Sequence, residues 1–176
     1  MIIDLTMEFG EKTIVYPGDP KPEFIQAATV EKDGYNSQKI TFETHLSTHI
    51  DAPYHMIPDG KKLDEFPVET FTGKGIVFDG DFEKIEEGDI VFFKGKISEE
   101  AANQLVSKKV KMAGTDQMSP DSSPFPVHRL LLKNNILIVE NLVNLDKLIG
   151  KRCTFFILPL KINGDGAPCR AIAIEP

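Results

Sequence analysis

The sequence predicts a single α/β domain built on a mixed central β-sheet, and three observations predict it. Short apolar runs at 76–78, 90–93, 110–113, 136–139 and 154–158 are rich in β-branched and aromatic residues and bounded by Gly, Asp or Asn, as buried strands would be. Stretches of helical spacing fall between some of these runs, so strands outnumber helices without a strict βα alternation. No repeat, low-complexity tract or Gly/Ser linker divides residues 1–176, and that length is enough to bury a core in one domain.

Taken in order, residues 1–15 alternate loosely and read as one or two strands, closed by the turn Tyr16-Pro17-Gly18-Asp19-Pro20. Residues 39–43 form a further strand that leads directly into a histidine-rich segment. After the runs at 76–78 and 90–93, Ser98 caps a helix whose first turn carries Glu99 and Glu100, with Ala101, Leu105 and Val106 on its apolar stripe. Residues 127–133 and 142–148 are two more short helices. A Pro-rich surface loop, 119–126, delivers the chain to His128, and Pro168 follows the flexible residues 163–166. Such loops are usual places for substrate contact and also ordinary connectors.

Composition excludes several classes of function. With 41% hydrophobic and 27% charged residues, global disorder is ruled out. Twenty Lys and Arg against 27 Asp and Glu give a net charge of −7, a poor match to nucleic acid or an anionic membrane surface. No apolar stretch approaches the roughly 18 residues needed to cross a bilayer. Met1-Ile2-Ile3-Asp4-Leu5-Thr6 lacks the charged and apolar regions of a signal peptide, so a cytoplasmic location is expected. Two cysteines, Cys153 and Cys169, make no disulfide framework.

Histidine carries the chemistry. Of four histidines, His45, His49 and His55 fall within one short segment, and His128 stands alone. In a straight strand, residues four apart are separated by about 13 Å, too far to share a metal through bonds of about 2 Å. On a helical turn their Cβ atoms lie about 6 Å apart. The strand ending near Glu43 is therefore expected to bend into a turn or helical piece at His45, with Pro53 limiting its continuation. Asp51 then arrives as a hard oxygen ligand. Two imidazoles and one carboxylate leave coordination positions open, the mark of a catalytic metal site. The competing reading is a loop of surface histidines that titrate without consequence. Glu140, at the end of the run 136–139, is placed where a strand-end carboxylate can point into a site.

The pattern His45-x3-His49-x-Asp51-x-Pro53-x-His55 resembles the signature of the metal-dependent cyclase family, which includes isatin hydrolase and bacterial kynurenine formamidase (arylformamidase) of tryptophan catabolism. The resemblance runs nearly end to end. Ile3-Asp4-Leu5-Thr6 and the turn at Tyr16 look like the family's opening. Gly114-Thr115-Asp116, Pro126-Val127-His128-Arg129, Glu140-Asn141-Leu142 and Asp165-Gly166-Ala167-Pro168-Cys169-Arg170 look like its later blocks.

The resemblance implies a swivelling β/β/α fold assembled as a homodimer or homotetramer. It implies that His45, His49 and Asp51 hold a first divalent metal, that His128 and Glu140 hold a second with Asp51 bridging, and that His55 is the acid–base group. Zinc is the expected ion, one or two per chain, with manganese the variant found in isatin hydrolase. The chain is shorter than the typical formamidase and has no Trp. Tyr16 stands near the place where formamidases carry one. The expected activity is hydrolysis of a non-peptide C–N bond in a small formamide or cyclic amide, with no nucleic-acid or membrane partner. The alternatives are a lactam hydrolase like isatin hydrolase and a metal-binding protein of the same fold without turnover.

Overall fold

The computed structural model describes residues 1–175. Ten strands occur: β1 (Ile2–Asp4), β2 (Glu23–Ala28), β3 (Ser37–Thr41), β4 (His49–Asp51), β5 (Thr72–Val77), β6 (Ile90–Phe93), β7 (Met112–Thr115), β8 (Leu137–Glu140), β9 (Arg152–Pro159) and β10 (Gly166–Ile174). Three helices accompany them: α1 (Val30–Asp33), α2 (Glu99–Ser107) and α3 (Pro126–Lys133). Strands β10, β4, β8, β7, β6, β5 and β9 are neighbours in that order, and β9 pairs back onto β10, so the mixed sheet closes on itself. The pairs along β5–β6–β7–β8 are parallel and the others antiparallel.

The runs that became β6, β7 and β8 are buried on both faces, which removes the polar alternation of a half-exposed strand, whereas the run at 154–158 in β9 alternates between buried and partly exposed positions. Ile90 and Phe92 of β6, with Leu137 and Val139 of β8, face one cluster together with Phe155 and Ile157. Val91, Phe93 and Ile138 face the other, against Ala102 and Leu105 of α2 and Leu131 and Leu132 of α3. Close strand approach needs glycine at Gly75: a Cβ there would lie 1.8 Å from the carbonyl oxygen of Ile90. The Ser98 cap is as expected, its side chain accepting from the Ala101 N–H at 3.1 Å. Ser98→Ala should cost about 1 kcal/mol, lowering the melting midpoint by roughly 2–4 °C for a chain of this size. A calorimetric scan showing no shift would contradict that role.

Residues 1–15 supply one strand, β1, and beyond it Thr6 makes an isolated bridge to Leu142. Three expectations need correction. The strand predicted at 39–43 is β3, which pairs only with β2 in a separate two-stranded sheet, so it does not carry the main sheet into the histidines. The helix predicted at 142–148 shrinks to a 3-10 turn at Leu145–Leu148, because Asn144 takes a left-handed conformation (φ 60°) that interrupts it. Gly166 and Pro168, read as loop, begin β10. Pro168 lies opposite His49, and Gly166 is needed because a Cβ would sit 2.6 Å from the Ile50 carbonyl oxygen. Among the described residues no helix is long and apolar enough to cross a membrane.

Candidate active site

The site is built on β4, which lies between β10 and β8. His49 and Asp51 are two residues apart on one strand, so their side chains share a face. The register puts Glu140, the last residue of β8, directly opposite His49, where cross-strand side chains meet. His45 reaches the same place through a tight bend, the turn that the spacing called for. Ser47 turns the chain with φ 58°. Thr48 pins the bend by donating to the Asn141 carbonyl (2.7 Å) and accepting from the Met7 N–H (2.8 Å). The outcome matches the purpose of the spacing argument: the His45 and His49 rings lie 5.2 Å apart, edge to face.

His128 enters from the first turns of α3. Asp121 fixes that end by accepting the backbone N–H of Val127 (2.7 Å) and of His128 (3.3 Å) through Oδ2. Its Oδ1 accepts from His128 Nδ1 at 2.5 Å. His128 Nε2 then faces Glu140 Oε1 at 3.1 Å and Asp51 Oδ2 at 3.7 Å. On the other side, Asp51 Oδ1 lies 2.7 Å from His45 Nδ1 and 3.2 Å from His49 Nε2. Asp51 thus belongs to two donor groups at once, His45–His49–Asp51 and Asp51–His128–Glu140, within each of which the ligating atoms all lie within 4.8 Å of one another.

Electrostatics follow from burying carboxylates among imidazoles. Burial penalises every charged form here. For His49 the negative charges of Asp51 and Glu140, whose oxygens lie 3.2 and 3.3 Å from Nε2, outweigh that penalty and push its pKa up to about 10. For His128 burial is outweighed by Glu140, Asp51 and Asp121, and its pKa rises to about 9. Asp51, flanked by His45 and His49, is held well below the usual carboxylate range despite its burial. The centre therefore demands compensating positive charge.

A divalent cation fits this demand. Two buried atoms of the cluster, His49 Nε2 and Asp51 Oδ2, have no hydrogen-bond partner, which is costly unless something else satisfies them. Each ring also has an outward nitrogen already engaged: His45 Nε2 with Asp165 Oδ2 (2.8 Å), His49 Nδ1 with the Ser47 carbonyl (2.9 Å), and His128 Nδ1 with Asp121. An acceptor on the outward nitrogen holds the proton there, leaving the inward nitrogen of a neutral ring as a ligand.

His55 lies in the 3-10 turn Pro53–His55, its ring 3.9 Å from that of His45. It belongs to neither group built on Asp51. Burial, the largest influence on it, lowers its pKa below the ordinary histidine value. The cavity beside these groups has a volume of ≈ 320 Å³ and is lined by Tyr16, His55, Met56, Met118, Phe125 and His128, among others, a size suited to a small organic molecule. Tyr16 is thus at the cavity wall, as its place near the Pro-Gly-Asp turn suggested, and Phe125 meets His128 edge to face at 5.6 Å.

All six residues singled out in the sequence, His45, His49, Asp51, His55, His128 and Glu140, come together here. Two acidic residues that support the histidines were not singled out. Asp121 lies in the Pro-rich loop ahead of α3, away from the cap position that Phe125 occupies, so no local signal marked it. Asp165 carried no local signal beyond its place in the Asp-Gly-Ala-Pro block.

The sequence profile of the family described as putative cyclase matches residues 3–93. A kynurenine formamidase of Erythrobacter litoralis is 30% identical, the alignment covering 99% of this chain and 94% of that one. Among solved structures, a potential metal-dependent hydrolase with cyclase activity superposes with a TM-score of 0.83 at 26% identity, over 100% of this chain and 99% of the other. An isatin hydrolase bound to the product analogue thioisatinate gives 0.84 at 25% identity, over 99% and 92%. The match of sequence and fold from end to end, together with the profile, shows that this chain belongs to the putative cyclase family.

Proposed function

We propose that the protein is a metal-dependent hydrolase that cleaves a non-peptide C–N bond in a small formamide or cyclic amide. The observation that carries the reading is a pair of histidine–carboxylate donor groups sharing Asp51, beside a small cavity that a further histidine lines. His45, His49 and Asp51 would hold one ion, and His128 and Glu140, with Asp51 between, a second. Zinc suits this mixed nitrogen and oxygen set, as does manganese. A bound divalent ion supplies Lewis acidity and lowers the pKa of water from 15.7 to about 7.

The chain's own residues do the rest. His55 takes the proton of the attacking water as its oxygen bonds to the carbonyl carbon. The C–N bond then breaks, and His55 returns the proton to the departing nitrogen. A formamide yields formate and an amine; a lactam yields an open amino acid. Tyr16 and Phe125 offer aromatic surface for a ring in the cavity. The named relatives, a kynurenine formamidase and an isatin hydrolase, support both substrate types. Assembly as a homodimer or homotetramer fits the apolar side chains that β2, α1 and β3 leave exposed, Ile25, Val30 and Ile40; size-exclusion chromatography with light scattering tests it.

Elemental analysis of protein purified without chelator should find one to two ions per chain. Rates on N-formylkynurenine, isatin and non-aromatic cyclic amides should then single out the substrate. A chain that takes up metal but hydrolyses none of the panel would leave only the binding-protein alternative. Chelation should also destabilise the fold. Free ion at ~1,000 times its Kd contributes about 4 kcal/mol, so its removal should lower the melting midpoint by roughly 8–16 °C. An unchanged melt after complete metal removal would refute a buried metal centre.

A further inference from the structure

Asp165 lies outside both donor groups that share Asp51, forms a third cluster with His45 and His55 whose ligating atoms also lie within 4.8 Å of one another, and is not among the residues lining the cavity. Its Oδ2 is 2.8 Å from His45 Nε2 and 3.7 Å from His55 Nδ1. Its Oδ1 accepts from the Thr44 hydroxyl at 3.0 Å, and its backbone carbonyl accepts from the Ala52 N–H at 2.8 Å. Asp165 is therefore tied to Thr44 through its side chain and to Ala52 through its backbone, on either side of His45 and His49. The neighbouring Gly166 permits this close approach, since a Cβ there would lie 2.9 Å from the His45 ring.

Resting on the hydrolase reading above, we propose that Asp165 is a positioning residue that acts through two histidines at once. By accepting the proton on His45 Nε2 it leaves His45 Nδ1, the nitrogen facing Asp51, as the ligand atom. By facing His55 Nδ1 it holds the His55 ring close against His45, the planes tilted by 40°, and leaves His55 Nε2 as the nitrogen uncommitted to Asp165, available to the substrate. One carboxylate thereby orients a metal ligand and the proton carrier together. Supporting carboxylates of this kind are worth roughly 10–100-fold in metal affinity or activity.

The test compares the whole chain with Asp165→Asn, which keeps the size and removes the charge. Zn(II) affinity, read by competition with a chromophoric chelator, should weaken roughly 10–100-fold, and the visible spectrum of the Co(II) form should change. Ion stoichiometry at saturation should stay as in the wild type. With saturating metal, kcat on whichever of N-formylkynurenine or isatin the wild type hydrolyses should fall, with KM little changed. In a His55→Ala background, adding Asp165→Asn should change kcat by less than about twofold, because its effect on the rate passes through His55. Thr44→Val, which removes the hydroxyl that holds Oδ1, should shift affinity in the same direction by less.

Unchanged Zn(II) affinity and Co(II) spectrum in Asp165→Asn would overturn the role at His45. A kcat loss that multiplies in the His55→Ala background would overturn the role at His55. Loss of a whole equivalent of ion would make Asp165 a ligand, overturning the proposal while leaving the hydrolase reading intact. A wild type that binds no ion would overturn the hydrolase reading and this inference with it.

Discussion

Replacing Asp51 with Asn is expected to strip metal from both donor groups and to lower kcat/KM by at least ~10³. Asp51 is 1% exposed and offers one oxygen to each side, so an amide, with one oxygen and no charge, cannot serve both groups and weakens each. Lewis-acid stabilisation is worth several kcal/mol, and each 1.4 kcal/mol is a decade in rate, which sets the size of the loss. Glu140→Ala is the control, since Glu140 belongs to one group only and its loss should remove about one ion. Elemental analysis of both variants, alongside circular dichroism to confirm folding, separates the cases. If Asp51→Asn kept its full complement of ions, Asp51 would not be the shared ligand.

His55→Ala should lower kcat by roughly 10² to 10⁴, the range for loss of a general acid–base group, with metal content unchanged. The geometry favours this separation. His55 approaches His45 and Asp165, whereas the atoms facing Asp51 come from His45, His49 and His128. A third imidazole on the first ion would also fill the position that the reacting water needs. His49→Ala, by contrast, should lose metal and activity together. If His55→Ala loses its ion in step with its activity, His55 is a ligand, and the proton must be carried by another group.

How much was legible follows from the kind of signal each element carries. The runs at 90–93 and 136–139 were readable because strands buried on both faces are uniformly apolar. Helix α2 was readable because Ser98, Glu99 and the apolar stripe are all local. Strand β10 was not readable: it is rich in small residues and contains Gly166 and Pro168, which signal a loop unless one knows that β4 passes close beside them. The helix expected at 142–148 failed for a local reason, the left-handed Asn144, that apolar spacing does not express.

The sequence by itself determined the residue types at the site: three histidines and an aspartate between positions 45 and 55, with His128 and Glu140 distant in the chain, a set of nitrogen and oxygen atoms able to hold a metal. It also determined that the chain must bend at His45, because residues four apart along a straight strand cannot share an ion. Tertiary structure alone decided that the bend is a turn at Ser47 pinned by Thr48 and Asn141, that Glu140 stands opposite His49, and that Asp51 turns one oxygen to each side. It alone revealed Asp121 and Asp165 behind the histidines. The physical reason is that ligand identity is a property of single residues, whereas shared ligands and supporting hydrogen bonds depend on strand register and loop closure between segments as far apart as Thr44 and Asp165.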